Sequence, residues 1–109
     1  VGGQSRGAWN ALQALAEPGL VDAVVAIAPA AHGASGSPAW AWALEDLRQV
    51  VAAARDRGVR VAIANFARDE FDPDPDARAA IFRSLAARVG ALLFLDRPPE
   101  VAGHAAGGD

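Results

Sequence analysis

Val1-Gly2-Gly3-Gln4-Ser5-Arg6-Gly7-Ala8-Trp9 is the stretch on which the reading of the fold turns. Within it, Gly3-Gln4-Ser5-Arg6-Gly7 fits the pattern G-x-S-x-G. The logic of that spacing is steric. A strand that turns sharply into a helix leaves the residue at the apex in a strained backbone conformation. Glycines two places before and after it leave room for the crossing backbone. The turn lifts the serine hydroxyl above the sheet and aims the N–H of the next residue, Arg6, at the place where an oxyanion forms. Other glycine-rich signatures fail here. Gln4 occupies the place of the second glycine of a dinucleotide fingerprint, and no Gly-Lys-Ser/Thr ending completes a phosphate loop. The second Ser/Gly stretch, Gly33-Ala34-Ser35-Gly36-Ser37, has the wrong spacing.

Outward from this stretch the chain alternates. Val1 and Gly2 read as the end of a strand. From Gly7 or Ala8 to about Glu17 the chain reads as a helix with Ala8, Trp9, Leu12, Leu15 and Ala16 on one face, stopped by Pro18-Gly19. Residues 20–28 form a short, continuous, β-branched run, as in strands covered on both faces. A loop follows, and Ser37-Pro38 has the N-cap and first-turn signature of a helix reaching about residue 57. Its inward residues are Leu44, Leu47, Val50, Val51 and Ala54, with Gly58 as its cap. Residues 59–65 read as the next strand. Asp74-Pro75 repeats the helix-start signature and predicts a helix to about residue 88, ended by Gly90. Ala79, Phe82, Leu85, Ala86 and Val89 face inward, and residues 91–95 form the last strand. This order specifies the α/β class: a parallel sheet with flanking helices and right-handed crossovers. Residues 1–109 read as part of one domain.

Composition narrows the chemistry. The 109 residues include no Cys, which excludes disulfides and thiolate catalysis. Net charge is −3 with the signs mixed, so no basic patch recommends a nucleic-acid partner. Two histidines are too few for a His-rich metal site. No apolar run approaches the roughly 18 residues of a membrane span. The first residues already read as a strand end, so a fragment is expected, with the cytoplasm the favoured setting.

A serine needs a base to become a nucleophile, and the base needs an orienting acid. His32 follows the second strand and His104 follows the last. Catalytic groups in open parallel sheets gather at the C-terminal ends of strands, and both histidines meet that test. Past the third strand, Asn65-Phe66-Ala67-Arg68-Asp69-Glu70-Phe71-Asp72-Pro73 offers Asp69, Glu70 and Asp72 as acids. The ordinary reading of such a cluster is a solvated loop, and Asp74 and Asp76 suit the cap of the next helix. Trp9, Trp40 and Trp42 read as packing residues, with Trp40 or Trp42 as alternatives for lining an acyl pocket.

With these residues in place, the chain resembles the α/β-hydrolase superfamily, and within it the esterase and dienelactone-hydrolase-like members. The resemblance spans nearly the whole chain. It rests on Gly3-Gln4-Ser5-Arg6-Gly7, on Phe66-Ala67-Arg68-Asp69 after a strand and on Gly103-His104 after the last strand. It implies a Ser-acid-His order, with Ser5 as nucleophile, Asp69 as acid (Asp72 second) and His104, rather than His32, as base. Arg6 supplies an oxyanion N–H. No cofactor or metal is implied, and the partner is a small-molecule acyl substrate. Peptide cleavage on the same fold, or a non-catalytic degenerate fold, are the alternatives. The departure is upstream: the strands and the second oxyanion donor that precede the nucleophile in the family have no counterpart in this sequence. The chain then represents the C-terminal part of a catalytic domain. A missing donor costs ~10²–10³ in rate, and an exposed apolar sheet edge invites self-association.

Overall fold

The computed structural model describes residues 1–99 and Gly103. Four strands, β1 (Gly2–Gln4), β2 (Ala23–Ile27), β3 (Arg60–Asn65) and β4 (Ala91–Asp96), form one sheet in the order β1-β2-β3-β4. Every pairing is parallel, and the register runs Gln4↔Ile27, Ile27↔Ala64 and Ala64↔Leu95 across the C-terminal edge. Three helices connect the strands: α1 (Arg6–Gln13), α2 (Ala43–Ala53) and α3 (Pro75–Arg83). The chain is therefore α/β, with a parallel sheet and flanking helices.

The helices form one layer. α1 packs on α2 and on β1 and β2, α2 packs on α3, and α3 reaches β4. Their apolar stripes meet the strands in one core built on Leu12, Leu15, Leu47, Phe82 and Leu85, with Val24, Ala26, Val61 and Ile63 from the sheet. Burying each of the larger side chains contributes about 1.5–3 kcal/mol. The opposite sheet face is bare among the described residues, with Val25, Leu93 and Leu95 exposed by 46, 60 and 52 %. The apolar run of β2 predicts cover on both faces, and the structure corrects this. Strands added steadily in one direction by crossovers of one hand put every connecting helix on the same side.

Local boundaries also differ from the sequence reading. Ser37 does not open α2. Its hydroxyl donates instead to the carbonyls of His32 (3.0 Å) and Ala34 (2.6 Å), closing a turn. A single 3₁₀ turn at Trp40–Trp42 then leads into α2. The helix stops at Ala53, because Ala54 is extended and Arg55 is drawn onto the 3₁₀ turn Ala14–Ala16 that follows α1. The Arg55 N–H donates to Leu15 O (3.0 Å) and its Nε to Ala16 O (2.9 Å). Asp74 does cap α3, accepting from the Ala77 N–H at 3.1 Å, with Pro75 at the first position. The last turn of that segment, Ser84–Ala87, is 3₁₀. No helix is long and apolar enough to cross a membrane among the described residues.

Candidate active site

Strain marks one edge of the molecule. Among the described residues, four non-glycine residues adopt positive φ: Ser5 (55°), Ala28 (47°), Arg68 (56°) and Arg97 (53°). Each lies just past the C-terminal end of a different strand. L-residues rarely enter this region, and such strain persists where surrounding structure over-determines it, as at functional sites.

Ser5 stands at the turn from β1 into α1, with φ 55° and ψ −120°. A serine preceding a helix ordinarily caps it from an extended backbone. Here the hydroxyl makes no cap bond to α1. The backbone is pinned from three sides: the Ser5 N–H donates to Ile27 O (3.0 Å), while Ser5 O accepts from Trp9 N (3.0 Å) and Ala30 N (3.1 Å). The close approach expected where this strand turns into the helix, an elbow in the backbone, falls on one glycine. A Cβ on Gly3 would sit 2.5 Å from the carbonyl carbon of Gly7, whereas a Cβ on Gly7 would meet nothing within 4 Å. Arg6 is the first residue of α1, where a backbone N–H has no acceptor within the helix. Its side chain donates to Ala31 O at 3.2 Å.

Ser5 and Asn65 lie in the same row of the sheet, two strands apart, so their backbones are separated by roughly 10 Å. Beyond Asn65 the chain turns back on itself at Asp69. This carboxylate is buried (residue exposure 8 %) and its Oδ1 accepts from the Phe71 N–H at 2.9 Å. Asp72 N donates to Asp69 O at 3.1 Å. His104 lies outside the described residues. Its sequence neighbour Gly103 donates its N–H to Ala67 O (2.6 Å), two residues before Asp69. Arg97 steers the chain out of β4: it grips Asp96 through two bonds (3.0 and 2.9 Å) and reaches Asp76 at 2.9 Å.

The two alternatives are engaged elsewhere. Asp72 forms a buried ion pair with Arg78 at 3.7 Å, with 3 and 4 % of the two side chains exposed. Its Oδ1 also accepts from Asp74 N at 3.2 Å. Burial pushes the Asp72 carboxyl above its ordinary value, against the opposing pull of Arg78. The Arg78 guanidinium is pushed down by its own burial, and Asp72 and Asp69 counter this. His32 pairs through Nε2 with Asp46 Oδ2 at 2.6 Å and stands edge-on to Trp9, ring centres 4.9 Å apart. The pair heads a surface cavity of about 470 Å³ between α1 and α2.

Asn65, Arg78 and Asp46 escape a reading of the sequence. Arg78 looks like an ordinary solvated helix residue, and only the return of α3 across the end of β3 buries it. Asp46 is 14 residues from His32, and only packing of α2 unites them.

No family model, no curated protein and no solved structure matches this chain.

Proposed function

We propose that the chain carries serine-hydrolase chemistry on an ester or related acyl substrate, as the C-terminal part of an α/β-hydrolase catalytic domain. The observation that carries this reading is the backbone of Ser5: a strained, non-capping serine at a strand-to-helix apex, with Gly3 pressed against Gly7. Asp69 and the Gly103 backbone, converging on the acid loop two strands away, support the rest of the triad.

In this mechanism Ser5 Oγ attacks the substrate carbonyl carbon while His104 accepts the hydroxyl proton. Asp69 orients the imidazole and stabilises its charge. The Arg6 N–H binds the oxyanion of the tetrahedral adduct. The adduct collapses, the C–O bond to the leaving alcohol breaks, and His104 returns the proton to that oxygen. Water, deprotonated by His104, then attacks the acyl-serine and releases the acid and free Ser5. Self-association with a second copy runs through the exposed sheet edge at β1, to which the bare apolar sheet face adds.

The test is hydrolysis of p-nitrophenyl acetate by the protein that carries this chain. Ser5→Ala and His104→Ala should each lose on the order of 10⁶-fold in kcat, keeping only the residual rate that binding and the oxyanion N–H provide, and Asp69→Asn should lose about 10⁴-fold in kcat. Retention of activity in Ser5→Ala would remove serine from the chemistry.

A further inference from the structure

We infer that Arg78 is a positioning residue for the catalytic acid, clamping both feet of the loop that carries Asp69. The inference rests on the triad proposed above and extends it to a side chain that touches no substrate. The loop leaves β3 at Asn65 and reaches Asp72, three residues before α3. Arg78, one turn into α3, reaches both ends: Nε donates to Asn65 Oδ1 at 3.2 Å and lies 3.7 Å from Asp72 Oδ2. Both contacts are made by the one Nε, set in the rigid guanidinium plane, whereas an ammonium is a point charge on a flexible stem. The guanidinium is itself held. Its carbon lies 5.3 Å from the centre of the Phe82 ring, and Phe82 is fully buried in the core.

The segment between the feet is one that needs holding. Arg68, immediately before the acid, is strained at φ 56°. The Asp69 carboxylate is turned inward by the Phe71 N–H and its carbonyl by Asp72 N, so any slip at Asp72 is transmitted to Asp69 directly. Opening the clamp would let the loop relax Arg68 and swing the carboxylate away from the base. A misplacement of about 1 Å can cost roughly 100-fold in rate. Because Arg78 holds Asn65 and Asp72, neither of which is assigned to substrate, its loss should lower kcat and leave KM unchanged.

The experiment separates positioning from folding. Arg78→Met alone leaves Asp72 buried without its cation, so the companion variant Arg78→Met/Asp72→Leu, which replaces the pair by apolar side chains, is measured beside it, with Arg78→Lys as the conservative change. Kinetics on p-nitrophenyl acetate and thermal melts are recorded for each. The double variant should melt near the wild-type temperature and lose roughly 10- to 100-fold in kcat at unchanged KM, with Arg78→Lys recovering only part of the loss. A double variant with wild-type kcat overturns the inference while leaving the triad standing. A rise in KM with kcat unchanged also overturns it, because it would place Arg78 in substrate binding. If wild type is no faster than Ser5→Ala, the triad itself fails and the inference with it.

Discussion

The two glycines of the elbow are not equivalent. G-x-S-x-G presents Gly3 and Gly7 as symmetric about Ser5, yet only Gly3 is pressed against backbone, 2.5 Å from Gly7. Gly3→Ala should therefore cost about 1–3 kcal/mol through overpacking. Gly7→Ala places its methyl in open space inside α1, where alanine is favoured over glycine by up to ~1 kcal/mol, so stability should hold or rise. Urea midpoints of the two variants test this contrast; equal losses would contradict it. The position of Ser5 at the strand-to-helix apex was legible from five letters, because a steric requirement shows in residue types. The asymmetry was not legible, since it depends on which way each Cα–H bond points.

At the scale of elements, α3 is held from both sides of its first turn. Asp74 caps it as Asp74-Pro75 implies, and Asp74→Ala should cost ~1 kcal/mol. The buried pair one turn further on is worth more when broken than when made. Arg78→Met should cost about 3–5 kcal/mol by stranding Asp72, and the added change Asp72→Leu should return most of it. Asp72 also gives the pair a pH signature. Burial raises its pKa above the ordinary 3.8. A carboxyl raised on folding contributes stability that is full below 3.8 and is lost as pH climbs through the raised value. The advantage of wild type over Asp72→Asn, read from urea midpoints, should thus be larger near pH ~4 than at pH ~7. A constant difference would contradict it. Strand positions were legible because continuous apolar runs between Gly and Pro leave few alternatives. The start of α2 was not. A serine hydroxyl serves a helix cap or a local turn equally well, and Ser37 took the turn through His32 and Ala34.

At the scale of the whole molecule, the helices among the described residues share one face, and the strained non-glycine residues among them share one edge. The first fact was hidden in the sequence, since strand order is set by packing and β2 has the same apolar letters whether one face is covered or two. It leaves Val25, Leu93 and Leu95 in the open, and exposed apolar faces of this kind associate. Leu93→Gln/Leu95→Gln should shift the chain toward a monomer in light scattering without lowering its melting temperature. An unchanged mass distribution would detach association from this face. The second fact brings the elbow, the acid loop and the exit from β4 to one rim, where the proposed chemistry is carried out. That chemistry is tested most directly by treating the protein with a fluorophosphonate and mapping the modified peptide by mass spectrometry. One adduct is expected, on Ser5, absent after Ser5→Ala and strongly slowed by Asp69→Asn. An adduct on another serine, or none on the folded protein, would contradict it.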